Sequence, residues 1–387
     1  MTLRLLGLAA MLVPLGSTMI AVALPAIGTE FQRSASELTQ WLVVSYLLVN
    51  IAALGPAGKL GDRWGYANAL RLGQSLFGVG CLLPIVWPSF GTLVASRVLM
   101  ALGGALMVPT VMALFRTAVP PERLARVFGY FGAMMTFAAA VGPSLGGMLV
   151  QRFGWGAIFL VNLPPLLASV YFSLGMQAAS SQDNTGRARG PTLFSDRSFA
   201  AGCAIVALLN LGMYTLLFEL PYLLQAFNKA GPERAGQLMS VFMVSMMAGS
   251  ALGGRASELI GARAACASGS LLSAAGFASI TLLSPGAGAM PLSVALVLAG
   301  VGLGFANGPA HGAALATIGR ATSGTASGLL ATSRYAGGIV GITLLSMLLE
   351  APGAAQSLAH HDRVVLVLAA FVLGAALVSW MGFAKPR

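Results

Sequence analysis

The chain alternates between long apolar stretches and short polar segments along its whole length. A membrane-spanning helix needs about 20 predominantly apolar residues. Twelve stretches meet this length, so the pattern predicts twelve transmembrane helices and an all-α membrane protein. The predicted helices span residues 5–27, 41–57, 69–88, 92–115, 128–150, 156–178, 199–225, 236–253, 264–284, 290–314, 322–349 and 364–383.

Two polar hairpins repeat at about half the length of the chain. Gly58–Gly65 and Gly254–Gly261 both read Gly, three residues, an acid, two residues, Gly. A second matched pair, GxxxxP, occurs at Gly104 and again at Gly304. Repeats of this kind predict two pseudo-symmetric six-helix halves in parallel orientation, an arrangement typical of transporters. We expect the halves at residues 1–178 and 198–387, joined by a flexible cytoplasmic linker over residues 179–197, which is rich in Ser, Asn, Gly and Pro.

Composition places this chain in a lipid bilayer. Hydrophobic residues make up 57% of the 387 and charged residues only 9%, against about 25% charged in soluble domains. The net charge of +11 does not indicate nucleic acid, because no loop interleaves basic and aromatic residues. Fifteen of the 22 Lys and Arg residues lie in segments that are cytoplasmic if the N-terminus is, and five lie outside. The positive-inside rule therefore predicts that both termini are cytoplasmic.

Five motifs resemble those of the major facilitator superfamily, in the same order along the chain. They are the Gly58–Gly65 hairpin, Arg97 with Gly103-Gly104, the GPxxGG sequence at Gly142, Pro143, Gly146 and Gly147, and segments 159–164 and 326–334. The GPxxGG motif is similar to that of the antiporter subgroup. The last two segments resemble the multidrug–proton antiporter branch, which usually has fourteen helices. The resemblance implies export of small amphipathic compounds by proton antiport, with alternating access to a central site near the bilayer midplane.

Partners and location follow from the same resemblance and from residue usage. We expect the bilayer, protons and a small amphipathic substrate as partners, no cofactor, and a monomer. Arg outnumbers Lys by 19 to 3, which indicates a GC-rich bacterial genome and hence the bacterial cytoplasmic (inner) membrane. No catalytic triad, phosphate-binding loop or metal-ligand spacing occurs in the sequence, and the three cysteines lie in apolar stretches. An enzyme is therefore not expected, and transport must draw on a gradient.

Helix 1 departs from the antiporter pattern. The places where that branch carries an acid and an Asn correspond to Gly16 and Ala21. This removes a proton carrier that the resemblance would otherwise supply. A lipid or lipophilic-conjugate exporter with weak or no proton coupling is therefore an alternative. A third possibility, of another class, is a ligand sensor that has kept the fold without turnover.

Four ionisable residues inside predicted helices are candidates for coupling protons to substrate. An ionisable side chain costs about 2.5–3.5 kcal/mol at the centre of a membrane helix, so its presence indicates a role. Glu219, the only acid within a predicted span, either binds protons or a cationic substrate or lies at the outer headgroup edge. Arg97 either faces the cavity, as the resemblance implies, or reaches the outer leaflet. A charge pair between these two residues is a further option.

The other two candidates lie in the second half. Arg334 is near the middle of its helix, and it contacts either an anionic substrate group, an acid, or carbonyls freed by a break at Gly337-Gly338. His311 either relays protons, because His titrates near neutral pH, or is wetted at the cytoplasmic interface.

The resemblance also implies a cytoplasmic gate, in which the hairpin acid locks that side when the halves close. The residues to which this role transfers are Gly58, Asp62, Arg63, Gly65, Arg126 and Glu258; the alternative is a solvated hairpin. Polar side chains of a mostly apolar cavity are expected at Ser17, Thr18, Tyr46, Asn50, Asn210, Tyr214, Asn307 and Tyr335. Few charges in such a cavity favour amphipathic substrates over sugars.

Overall fold

The computed structural model describes residues 2–118, 121–174, 194–228, 231–283, 289–316, 318, 323–349 and 358–383. Regular structure in these residues is entirely helical. The chain forms two compact units, one of Met1–Asn184 with Gly231–Gly236 and the other of Thr185–Ala230 with Gln237–Arg387. Most of the predicted linker, residues 179–193, lies outside the described residues.

The first unit begins with a long helix and ends with a short one. Its elements are α1 (Thr2–Phe31), α2 (Ala35–Leu38), a π-helical segment (Thr39–Val44), α3 (Ser45–Trp64), α4 (Tyr66–Val86), α5 (Phe90–Ala118), α6 (Pro121–Phe153), α7 (Ala157–Leu160) and α8 (Leu163–Leu174). In this unit α4 packs on α5, and α1 packs on α6 and α8.

Five helices among the described residues form most of the second unit, and three of them pack on the first. They are α9 (Arg197–Asn228), α10 (Pro232–Thr281), α11 (Ala289–Ala316), α12 (Ser323–Leu349) and α13 (Leu358–Gly382). Helix α9 contacts α11, α12 and α13. It is therefore the shared element of the polar sites described below.

The described residues account for twelve spans. Eleven helices among the described residues are long and apolar enough to cross a membrane. One of them, the 50-residue α10, is divided by non-helical backbone at Gly261, which makes two spans from it. The predicted spans 236–253 and 264–284 correspond to these two parts. Polar residues at the predicted ends are also helical: α3 continues to Trp64 and α13 begins at Leu358.

The repeated hairpins have the same backbone conformation at their last glycine. Gly65, between α3 and α4, has φ 83° and ψ 144°, and Gly261 has φ 79° and ψ 154°. Residues with a side chain rarely adopt this conformation. The sequence repeat is thus a structural repeat, and the residues before each glycine belong to a helix instead of the loop that the sequence predicts.

Because of this conformation, Gly261→Ala is expected to destabilise the protein by about 1–2 kcal/mol, the cost of a β-carbon at positive φ. Thermal unfolding of the purified protein in detergent measures the change. Gly254→Ala is the matched control in the same helix, because nothing lies within 4 Å of a β-carbon there. Equal midpoints for the two variants would contradict the expectation.

Glycines also allow close helix contacts at equivalent places in the two units. A β-carbon at Gly103 would lie 2.6 Å from the Gly73 carbonyl oxygen, and one at Gly302 would lie 2.6 Å from that of Gly269. The first pair joins α4 to α5, and the second joins the later part of α10 to α11. Small residues at helix contacts are typical of membrane proteins, where van der Waals packing replaces the hydrophobic effect.

Candidate functional site

A buried acid–histidine pair lies in the second unit. Glu219 on α9 and His361 on α13 are both fully buried, and Glu219 Oε1 contacts His361 Nδ1. Glu219 Oε2 has no hydrogen-bond partner among the described residues. Asp362 and Arg363, which follow His361, are more exposed. One oxygen of the carboxyl therefore has a partner within its own unit, and the other accepts no hydrogen bond from the described residues.

This pair is suited to holding a proton. With one proton shared between carboxyl and imidazole the pair is neutral overall, and without that proton it leaves a buried negative charge. An uncompensated buried charge costs several kcal/mol. Release of the proton therefore requires either access of water or a compensating change nearby. These are the properties that a coupling site needs.

His361 is a site residue that the sequence analysis does not identify. It lies between the predicted spans 322–349 and 364–383, in a segment assigned to a loop. The available signal was the rarity of histidine: the chain has only three, two of which adjoin the last apolar stretch. Its partner is 142 residues away, and sequence spacing gives no indication of that contact.

Arg97 is enclosed in the first unit. It lies on α5 with 1% of its surface exposed, donates from Nε to the Leu42 carbonyl oxygen at 3.0 Å, and its Cζ is 4.2 Å from the centroid of the Tyr46 ring. Leu42 belongs to the π-helical segment, and such segments occur frequently at functional sites. Arg97 therefore has partners within its own unit. The proposed charge pair between Arg97 and Glu219 stays a prediction.

Arg334 lies in a cluster of polar side chains on three helices of the second unit. Its Cζ is 4.8 Å from the centroid of the Tyr335 ring on the same helix, and its guanidinium interacts electrostatically with Tyr335 and with Tyr214 on α9. Nε is buried without a hydrogen-bond partner among the described residues. Helix α12 is continuous through Gly337-Gly338, so the predicted break and its freed carbonyls are absent there.

His311 and Asn307 complete this cluster from α11. His311 Nδ1 is 3.0 Å from the Asn307 carbonyl oxygen, and the imidazole interacts electrostatically with Arg334. A carbonyl oxygen only accepts hydrogen bonds, so Nδ1 carries the hydrogen and Nε2 is left for another partner. Asn307 Oδ1 is buried without a partner among the described residues.

Helix α1 is packed where the antiporter acid would be. Gly16 and Ala21 are buried, and a β-carbon at Gly16 would lie 3.3 Å from the Met100 methyl group. Ser17 and Thr18 each donate to the Pro14 carbonyl oxygen at 3.0 Å. Their hydroxyls are therefore used within their own helix.

Two of the three predicted cavity asparagines, Asn50 and Asn210, are buried. Asn210 donates from Nδ2 to the Val206 carbonyl oxygen at 2.8 Å, within α9. Asn50 on α3 lies beside Gly104, where a β-carbon would be 3.7 Å from Asn50 Nδ2. Their assignment to a cavity stays a prediction.

All the predicted gate residues except Arg126 lie close in sequence to Gly65 or Gly261. Arg63 in the last turn of α3 and Glu258 in α10 are exposed, and Gly58 lies within α3. Asp62 and Arg126 lie in α3 and α6, and their side chains are outside the part of the chain that the structure describes. The gating role of all six residues stays a prediction.

The GPxxGG motif forms the contact surface of α6. Gly142 and Gly146 face α1, where a β-carbon at Gly146 would lie 3.1 Å from the Met19 Cα. Gly147 faces Pro232, and Pro143 faces Gly236. Pro232 and Gly236 belong to the segment Gly231–Gly236, which groups with the first unit. The motif thus permits close backbone approach on two sides of α6.

Comparisons with known proteins agree with this architecture. A family model described as Major Facilitator Superfamily matches residues 6–342. The chain is 24% identical to the riboflavin transporter RibZ of Clostridioides difficile, over 95% of this chain and 91% of that protein. It is 26% identical to the multidrug resistance protein Stp of Mycobacterium tuberculosis, over 94% and 78%. A bacterial homologue of the human lysosomal transporter spinster has the same fold, with a TM-score of 0.81 at 17% identity, over 100% and 98%.

Proposed function

The chain belongs to the Major Facilitator Superfamily, and on that premise we propose that it exports small amphipathic compounds by proton antiport. It is a multi-pass membrane transporter and not an enzyme. The observation that carries the antiport proposal is the fully buried Glu219–His361 pair. It supplies a proton-holding group in the second unit, where the first unit has no acid at the expected places in α1.

The substrate class draws on the relatives and on the composition of the helices. Stp is named for multidrug resistance, which supports export of varied amphipathic compounds. RibZ is named for riboflavin, a single substrate with a flat ring and a polar chain. The few charges in the helices of this chain suit amphipathic substrates.

Topology and mechanism complete the proposal. The excess of Lys and Arg in alternate segments supports cytoplasmic termini. The proposed location is the inner membrane of a bacterial cell, with the protein as a monomer. The two six-helix halves give alternating access to a central site. Protons moving inward through the Glu219–His361 pair drive the substrate outward.

Lipid or lipophilic-conjugate export with weak or no proton coupling is the second candidate. The packing of α1 favours it: Gly16 and Ala21 are buried among side chains of the first unit, so neither of these two places supplies a carboxyl to carry a proton. The two candidates differ in one measurable property, the response of transport to a pH gradient.

The test uses the full-length protein in liposomes that carry fluorescent amphipathic probes of either charge, a dansyl-labelled fatty acid and ethidium. Counterflow of labelled against unlabelled probe without any gradient reports transport, and accumulation under an imposed pH gradient reports coupling. Both signals are expected, and both should exceed those of protein-free liposomes. Counterflow without a pH response would replace the proposal with uncoupled export. Stoichiometric binding without counterflow would replace it with a ligand sensor.

A further inference from the structure

We propose that the second unit contains a binding site for the anionic group of an amphipathic ligand, formed by Arg334, Tyr214, Tyr335 and His311. The ligand chemistry is a single carboxylate, sulfate or phosphate on an apolar body. The proposal rests on the proposed export function, since it names the charge of what is exported. It assigns Arg334 and His311 to ligand binding and leaves proton holding to Glu219 and His361.

The first argument is the balance of charge. Among the described residues, ion pairs join only Arg33 to Glu37 and His361 to Glu219. Glu219 is thus occupied by a basic partner within the unit, and Arg334 has no carboxylate within ion-pair distance. A guanidinium near the middle of a membrane helix stays protonated and needs a counter-charge. A ligand anion would supply one.

The second argument is a comparison with the other buried arginine. Arg97 is enclosed by its own unit and bonded through Nε to a backbone carbonyl. Arg334 Nε has no such partner, and its side chain remains partly exposed. Among the described residues, Arg97 Nη2 and Arg263 Nε also lack a hydrogen-bond partner. The unpartnered Nε of Arg334 therefore supports a ligand site together with the missing counter-charge, not by itself.

The third argument is the arrangement of the hydrogen-bond donors. Tyr214 and Tyr335 carry hydroxyls next to the guanidinium. His311 Nδ1 donates to the Asn307 carbonyl oxygen, so Nε2 donates to an anion when the imidazole is protonated. Hydroxyl and guanidinium groups donate to anionic oxygens, and hydrogen bonds to charged groups are about twice as strong as neutral ones. A cationic headgroup would find no carboxylate in this cluster.

The fourth argument is the rigidity of the cluster. A β-carbon at Gly338 would lie 2.7 Å from the Tyr214 ring, so this ring lies directly on the α12 backbone, about one turn from Arg334. Gly337 and Gly341 bring the backbones of α9 and α12 equally close. The tyrosine is therefore fixed against the arginine by helix packing and does not depend on a loop. Pre-positioned donors of this kind lower the ordering cost of binding.

The test measures binding of a matched pair of probes to the full-length protein in phosphatidylcholine nanodiscs. Dansyl-labelled undecanoic acid and its methyl ester share the same apolar body and differ only in charge. Wild-type protein is expected to bind the acid at least about tenfold more tightly than the ester. Equal affinity for the two probes overturns the proposal.

Substitutions locate the site. Arg334→Gln is expected to weaken binding of the acid by about tenfold or more and to leave the ester unchanged, and Arg334→Lys should fall between, because it keeps the charge and loses the planar fork. Arg263→Gln is the matched control: Arg263 also lies in the second unit and stacks on an aromatic ring, with Cζ 4.0 Å from the Trp380 centroid. Unchanged binding in Arg334→Gln, or an equal loss in Arg263→Gln, overturns the assignment.

Two further arms separate the possible outcomes. Phosphatidylglycerol in the nanodiscs competes with the acid if lipid phosphate is the natural ligand, and it does not if the ligand is a smaller amphiphile. Counterflow of ethidium with no preference for the acid over the ester means that the export function stands and the anion site fails. Tight binding of the acid without counterflow of any probe means that the anion site stands and the export function fails.

Discussion

Replacing Glu219 by Gln is expected to abolish pH-driven transport while leaving ligand binding measurable. The amide has nearly the shape of the carboxyl but takes up no proton, so the pair with His361 can no longer alternate between a proton-loaded and a proton-free form. Transport into liposomes under an imposed pH gradient should fall to the level of protein-free liposomes. Binding and counterflow should remain, because counterflow needs no net proton movement.

Glu37→Gln is the matched control for this variant. Glu37 is also an acid paired with a base, Arg33, at 3.2 Å, but the pair is exposed on the surface. Exposed pairs contribute about 0–1 kcal/mol, and the amide can still accept the hydrogen bond from Ser34. Normal transport is expected in this variant. Undiminished pH-driven transport in Glu219→Gln would remove the pair from the coupling mechanism.

Gly337→Ala is expected to have the largest effect on stability among single methyl additions in α12. A β-carbon there would lie 2.6 Å from the carbonyl carbon of Ala207 and 2.8 Å from its Cα. Both are backbone atoms, so α9 and α12 must separate. Overpacking of this kind costs about 1–3 kcal/mol. We expect a lower midpoint of thermal unfolding in detergent and, because Tyr214 moves with α9, weaker binding of anionic probes.

The same helix provides the control for that substitution. Nothing lies within 4 Å of a β-carbon at Gly328, so Gly328→Ala should be neutral or stabilising by about 0.5–1 kcal/mol through helix propensity. Equal unfolding midpoints for the two variants would contradict a close α9–α12 contact at Gly337.

The number and order of the spans could be predicted from sequence because lipid imposes a simple rule. A span must be about 20 residues long and apolar, and all twelve stretches follow it. The ends of the spans were less predictable. Polar residues such as Arg63 and His361 are helical here because an α-helix satisfies its backbone whether or not its side chains are apolar.

The partners of the buried charges could not be predicted. His361 meets Glu219 only because α13 packs on α9, and Arg97 finds a carbonyl only because the chain widens into a π-helix at Thr39–Val44. Neither contact has a signature in local spacing. The repeat was more informative. Glycine is the residue that adopts positive φ readily, so a glycine repeated at the same place in two hairpins indicates that backbone conformation from sequence.

The single glycine between α3 and α4 has a mechanical consequence. Trp64 and Tyr66 are both helical, and only Gly65 separates them, so their Cα atoms can be at most about 7 Å apart. A connection this short contains no slack. Neither helix can slide along the other by a full turn, about 5.4 Å, without drawing its neighbour with it. Any rearrangement at this end of the first unit therefore moves the ends of α3 and α4 together, and only rotation at Gly65 can change the angle between the two helices.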